Sequence, residues 1–416
     1  MDRPGLPSQI LPALQTIASV AGVSRLALVG GAVRDALLHD QHCDPWRDLP
    51  DLDLVLEGSA SELATALERH YGDQRVKEVR VHGVYGTAEL SFDGVLLDLA
   101  AARQERYPAP GENPVVESGS LERDLERRDF TVNAMALELS LSGSCEPLLL
   151  DPHGGQAHLA RRELAFLHNS SVADDPTRVI RASRYAARLG FHLAPAAGAQ
   201  MMSTLNAWPW DWCTGDAPEL APPALSTRLR MELELLLDRE PWCEGLALLQ
   251  GWGALVLLDS GLQQDSRLKR RLIQAQRLGL PLLTSLVAGA KDPSALAQRL
   301  QLPQQQQRQM QQLKDLLQWL DTTLAAEASK WSAARWCDEL ESRSLAPEVV
   351  AHAACLLAQC QRSSVRWKPL LRWWGRWRHL QAPVSANELM AQGWQPGPGL
   401  GQELRRLRRA RLMQAR

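Results

Sequence analysis

Short apolar runs interrupted by polar positions fill the first third of the chain, and long runs at helical spacing fill the rest. Leu26 to Val29, Asp51 to Leu56, Val76 to Val81, Thr87 to Phe92 and Val95 to Leu99 read as strands. Ala32 to Leu38 and Ala60 to Tyr71 read as helices between them. From about Asp151 onward the strand signal fades, and Leu, Ala, Arg and Gln recur at spacings of three and four. The pattern predicts an α+β chain, a head with a mixed sheet followed by an all-helical remainder. Breaks are expected at Asn206 to Pro223, Leu302-Pro303, Pro369 and Gln381 to Ser385. The glutamine-rich stretch Gln301 to Gln312 runs into Leu313, Leu316, Leu317 and Leu320 at helical spacing, so it reads as the exposed start of an ordinary helix.

A chain of 416 residues calls for two to four packing units. With 45% apolar and 23% charged residues and no apolar run long enough to span a bilayer, it reads as a cytoplasmic globular protein with no membrane partner. The stretch from Met1 to Ala21 is broken by Pro4, Pro7 and Pro12 and lacks the core of a signal peptide. Seven scattered cysteines without a C-x-x-C pair argue against a zinc site and a disulfide framework, and Cys355 and Cys360 read as small buried side chains. Net charge is −2, but from Gln361 to Arg416 eleven Arg and one Lys face only Glu388 and Glu403. A basic end on an acidic body suggests a local site for a polyanion.

The candidate chemistry lies mostly in the head. In LALVGGAVRDALL an apolar strand runs into Gly30-Gly31 and then into a helix carrying Arg34. Glycines allow close backbone approach, and a helix start with a nearby guanidinium suits a triphosphate, although the same pattern also makes a common tight turn. In DLPDLDLVLEG, Asp51 and Asp53 lie two apart on a strand and therefore on one face. Like charges so close call for a cation between them, and Mg²⁺ is the natural occupant. Asp98, in another apolar run, completes three strand-borne carboxylates of the kind that carry two-metal phosphoryl transfer.

Two further segments suit nucleotide recognition. In LERRDFTVNAMALEL, Arg128 suits a phosphate or nucleotide, while Asp129 and Asn133 suit a ribose 2′-hydroxyl, which donates and accepts. In DDPTRVIRASRYAARLGF, Asp174 or Asp175 caps a helix on which Arg178, Arg181, Arg184 and Arg188 share a face. Within that helix acidic partners are too few, so the face suits a nucleotide and RNA; a solvated basic face is the plainer alternative.

These segments, in this order, resemble the class II tRNA nucleotidyltransferase (CCA-adding enzyme) and bacterial poly(A) polymerase family. LVGGAVRD with DLDLV, RRDFTVNAMAL, LLDPHGGQAHL, DDPTRVIRASRYAARLGF and LSTRLRMELELLL match its five motifs over about residues 25 to 240, and ANELMAQGWQPGPGLGQELRRL is similar to a C-terminal signature. The resemblance implies a polymerase-β-like nucleotidyltransferase head at 1–150, a nucleotide-selecting helical neck at 151–238, a helical body at 239–362 and a basic, tRNA-binding tail at 363–416. It implies that Asp51, Asp53 and Asp98 hold Mg²⁺, that Gly30, Gly31 and Arg34 meet the triphosphate, and that Arg128 meets the incoming nucleotide. Asp175 and Arg178 would be the protein template for CTP and ATP, with Arg181 and Arg184 completing the pocket, and tRNA would be the acceptor. His158 stands where the third motif usually has an acid, Asp174 replaces a frequent Glu, and the insertion bearing Trp208, Trp210 and Trp212 has no counterpart.

The expected product is CCA or its terminal A, with poly(A) or CC addition as alternatives and a noncatalytic tRNA-binding protein as the reading of another class. Residues 103 to 127 are long enough for the flexible loop that complete or A-adding members use, which disfavours CC-only addition. Tryptophans 367, 373, 374 and 377 among tail arginines suit either RNA stacking or a helix core. The assembly is expected to be a monomer or homodimer.

Overall fold

A computed structural model describes residues 9–46, 51–83, 86–141, 147–323, 331–358 and 364–415. Contacts divide the chain into two compact units, Met1–Asp211 with Pro222–Ala224, and Trp212–Ala221 with Leu225–Arg416. The division falls between Asp211 and Leu225, in the Trp- and Pro-rich stretch where a break is expected.

The first unit is built on a seven-stranded sheet of order β3-β4-β5-β2-β1-β8-β9. Its strands are β1 (Arg25–Val29), β2 (Asp51–Glu57), β3 (Val76–His82), β4 (Thr87–Phe92), β5 (Val95–Ala101), β8 (Ala136–Leu139) and β9 (Leu148–Leu150). A separate antiparallel hairpin comprises β6 (Arg103–Arg106) and β7 (Val115–Ser118). Only β2 and β5 pair in parallel within the large sheet, which makes it mixed. Period-two alternation sends Leu52, Leu54, Leu56, Leu97 and Leu99 into the main core, together with Leu63 and Leu67 of helix α3 (Ala60–Arg75) and Leu14 of helix α1 (Ile10–Val20). Val55 packs on the opposite face with Ala27, Val29, Leu121 and Leu125. The alternation that buries the leucines of β2 leaves Asp51 and Asp53 on the Val55 face.

Helix α2 (Gly31–His42) follows β1 directly, and α4 (Leu121–Glu126), α5 (Gly155–Arg161), α6 (Ser171–Asp174) and α7 (Thr177–Leu189) complete the elements around the site. Residues 103 to 127, read as long enough to hold a flexible loop, form the β6–β7 hairpin with a loop at 107–114, followed by α4. Gly111 lies in the hairpin turn with φ of +79°. Its amide donates to Asp174 O at 3.1 Å, and an added Cβ would lie 2.9 Å from the Trp210 ring. Trp210 is itself buried, its indole donating to Ala173 O at 2.9 Å.

The second unit is helical throughout its regular elements, from Thr227–Arg239 to Pro398–Gln414. The glutamine-rich stretch begins helix Gln304–Thr323, with Met310, Leu313, Leu316 and Leu320 buried. Buried cations here are satisfied inside the protein: Arg299 donates to Leu257 O and Leu258 O at 2.9 and 2.7 Å, and Arg271 to Ser285 O at 2.7 Å and to Asp265 Oδ2 at 3.2 Å. The break expected at Pro369 does not occur, since helix Ser364–Gly375 runs through it. Leu370 and Trp373 on that helix are buried, and their packing outweighs the one amide that proline lacks. Trp377 is also buried and Trp374 lies under the Arg378 guanidinium at 3.9 Å, so these tail tryptophans belong to the helical core. Cys355 is a buried free thiol, while Cys145 and Cys360 lie outside the described residues. No helix among the described residues is long and apolar enough to cross a membrane.

Candidate active site

Parallel pairing places Asp53 of β2 beside Asp98 of β5, and Asp51 follows on the same face of β2. One oxygen from each of the three carboxylates lies within 4.8 Å of the others. Solvent reaches Asp53, yet the surrounding protein and the charges of Asp51 and Asp98 push its pKa up to about 6, against the opposing pull of Arg128. Asp98 is raised as well, by burial and by Asp51 and Glu89. Three hard oxygen donors in mutual repulsion fit a divalent cation. Because a cation bound here would displace a proton from Asp53, affinity for a divalent cation is expected to fall as pH drops through about 6, by up to roughly tenfold per pH unit. Titration calorimetry at several pH values checks this; an affinity independent of pH between 5 and 7 would contradict it.

The turn between β1 and α2 lies against these carboxylates. Gly30 adopts φ 70° and ψ −134°, and a Cβ there would stand 3.1 Å from Asp53 Oδ2 and 3.4 Å from Arg128 Nη1. Glycine is therefore required for conformation and for space. Arg34, on the first turn of α2, is buried and grips Asp35 through Nε and Nη2 at 2.8 and 3.0 Å. Its Nη1 donates to Asn133 Oδ1 at 2.7 Å.

From Asn133 a chain of bonds runs to the arginine helix. Asn133 Nδ2 donates to Asp129 Oδ1 at 3.1 Å, and Arg181 Nε donates to Asp129 Oδ2 at 2.8 Å. Burial alone would raise the Asp129 pKa, but Arg181 and the Asn133 hydrogen bond more than offset it and hold the group ionised. Arg128 Nη2 donates to Asp124 Oδ2 at 2.9 Å. Arg178 is buried, donating to Ser171 O at 3.3 Å and Arg127 O at 3.2 Å with Tyr107 6.0 Å away. Asp175 Oδ1 accepts from the Thr177 amide and hydroxyl at 3.1 and 2.6 Å and so caps α7.

The site residues expected from sequence thus fall into two groups, the carboxylates with Gly30 and Arg128, and the bonded network of Arg34, Asn133, Asp129 and Arg181, while Arg178 bonds to the Ser171 and Arg127 carbonyls. Arg184 extends the face that Arg181 begins, on the same helix α7. Within the arginine helix acidic partners are indeed few, but from outside it Asp129 reaches Arg181 and main-chain carbonyls reach Arg178. His158 Nδ1 lies 3.0 Å from Thr131 Oγ1, a short polar contact at the position where an acid was expected. Sequence reading missed Asp124 and Glu105, whose positions one turn and one strand away from Arg127-Arg128 become meaningful only in three dimensions.

The chain matches the Poly A polymerase head domain family over residues 26–165. It is 39% identical over 285 residues to a CC-adding tRNA nucleotidyltransferase of Deinococcus radiodurans, which is 67% of each chain. It is 34% identical over 256 residues to an A-adding tRNA nucleotidyltransferase of Aquifex aeolicus, 61% of this chain but 28% of that one. The fold resembles that of the Thermotoga maritima CCA-adding enzyme solved with tRNA, with a TM-score of 0.67 at 20% identity over 99% of this chain and 93% of the other. The carboxylate set, the glycine turn and these similarities lead to one assignment: the chain belongs to the tRNA nucleotidyltransferase family that carries the Poly A polymerase head domain.

Proposed function

We propose that the protein extends the 3′ end of tRNA with the C and A nucleotides of the CCA end, taking them from CTP and ATP without a nucleic-acid template. The observation that carries this reading is the clustering of Asp51, Asp53 and Asp98 beside the Gly30 turn. Asp51, Asp53 and Asp98 would hold Mg²⁺, which when bound lowers the pKa of the attacking 3′-hydroxyl and neutralises the triphosphate. The Gly30-Gly31 turn leaves room for phosphates, and Arg34 and Arg128 offset their charge. Asp175 would accept from the exocyclic amine common to cytosine and adenine, Arg178 would donate to the ring, and Arg181 and Arg184 would complete the pocket. Asp129 and Asn133 would meet the ribose. The division into head, neck, body and tail at 150, 238 and 362 belongs to the same proposal, as does a cytoplasmic location.

A second reading, CC-only addition, is favoured by the similarity to the CC-adding Deinococcus relative. Transfer of label from CTP or ATP to tRNA lacking its 3′ end tests the proposed activity. Label is expected with Mg²⁺ and none with a chelator; absence of label from both nucleotides would refute the reading.

The basic tail is expected to add electrostatic affinity. Arg405, Arg406 and Arg409 are exposed on helix Pro398–Gln414, Arg406 paired with Glu403 and Arg409 with Asp338 at 3.5 Å, and Arg408 is held by Glu341 through two bonds of 2.7 Å. Replacing Arg405 and Arg409 by alanine should weaken tRNA binding and lower its salt slope by roughly one to two, one for each phosphate that is no longer neutralised. An unchanged slope in a filter-binding salt titration would assign this helix to packing alone.

A further inference from the structure

Asp124 has no role in the activity described above, yet its carboxylate is completely buried. Such a group is tolerated only when its charge is matched and its lone pairs are used. Asp124 Oδ1 accepts from Arg127 Nε and Nη2 at 2.9 and 2.7 Å, and Oδ2 accepts from Arg128 Nη2 at 2.9 Å. The other terminal nitrogen of Arg128 faces Gly30, next to Asp53. One prong of the guanidinium is thus anchored, and the other points to the carboxylate and glycine site. Arg127 is gripped a second time by Glu105 of β6, with Nη1 to Oε1 at 3.1 Å, and its carbonyl accepts from Arg178.

We infer that Asp124 is a positioning residue for nucleotidyl transfer: it keeps Arg128 aimed at the triphosphate and fixes the Arg127 carbonyl that holds Arg178. This rests on the proposed activity. Without the anchor, Arg128 is free to pair with Asp53, which shares the Gly30 turn with it, and such an ion pair would occupy a carboxylate of the proposed metal site and withdraw the cation from the phosphates.

The test uses the full chain with tRNA, CTP and Mg²⁺, and inorganic pyrophosphate as a base-free probe of the phosphate site. Asp124→Asn keeps the shape and removes the charge. Asp124→Glu keeps the charge, shifts the anchor by one methylene, and carries the test if the first variant does not fold. In either variant pyrophosphate inhibition is expected to weaken and the KM for CTP to rise by about tenfold, the scale of one charge-assisted hydrogen bond lost from the bound triphosphate. The KM for tRNA should stay within about twofold of wild type. A purely structural Asp124 would lower the melting temperature and leave pyrophosphate inhibition alone, and that result in a folded variant overturns the inference. Failure of the wild type to transfer CMP in the same assay would instead overturn the proposed activity, and this inference with it.

Discussion

Asp53→Ala is expected to abolish nucleotide incorporation, by roughly a thousandfold or more, because loss of metal-assisted phosphoryl transfer removes several kcal/mol of transition-state stabilisation. The same variant should bind tRNA as wild type does, since phosphate contacts to RNA do not use this carboxylate. Its stability supplies an independent check. The folded-state pKa of Asp53, about 6, lies above its ordinary value of 3.8. The folded protein therefore holds that proton more tightly than the unfolded chain, and the ionised group costs stability increasingly as pH rises from about 4 to above 6. Asp53→Ala without metal should thus melt no lower than wild type at pH 7, and its advantage should vanish below pH 4. Turnover within about tenfold of wild type would sink the metal assignment, and a sharp fall in melting temperature at pH 7 would make Asp53 a structural residue.

The second large effect concerns base choice. Asp175→Asn keeps an oxygen for the cap on Thr177, so α7 should remain intact. The amide replaces an acceptor with a donor where an exocyclic amine would meet the side chain, and a donor rewards the carbonyl of uracil instead. The ratio of kcat/KM for UTP to that for CTP is expected to rise about ten- to a hundredfold, the worth of a charge-assisted hydrogen bond of roughly 1.5 to 3 kcal/mol. Arg178→Ala should weaken use of both CTP and ATP. Because the Arg178 guanidinium already bonds to the Ser171 and Arg127 carbonyls, that substitution should also loosen the junction with the RRD turn. An unchanged UTP to CTP ratio in Asp175→Asn would reduce Asp175 to a helix cap.

Much of the site was legible because it rests on period-two alternation. Leu52, Leu54 and Leu56 define the buried face of β2, so Asp51 and Asp53 had to share the other, and the registered partner Asp98 followed the same rule. The strands β6 and β7 were not legible: RQER and VVES have no alternating burial, since the hairpin lies outside the large sheet. Nor could helical spacing reveal who neutralises the arginines of α7. Their partners, Asp129 and the carbonyls of Ser171 and Arg127, depend on how distant segments meet. Trp373 and Trp377 sit in a basic aromatic composition that suits RNA stacking and a helix core equally, and burial of both rings decides for the core.

The most direct measurement is a single-nucleotide-resolution gel of tRNA lacking its 3′ end, incubated with Mg²⁺ and each nucleoside triphosphate alone and then with CTP and ATP together. Discrete extension by C or A residues is expected, stopping at three nucleotides or fewer, with no extension from UTP or GTP. A long adenylate ladder, or no extension under any condition, would contradict the proposed activity.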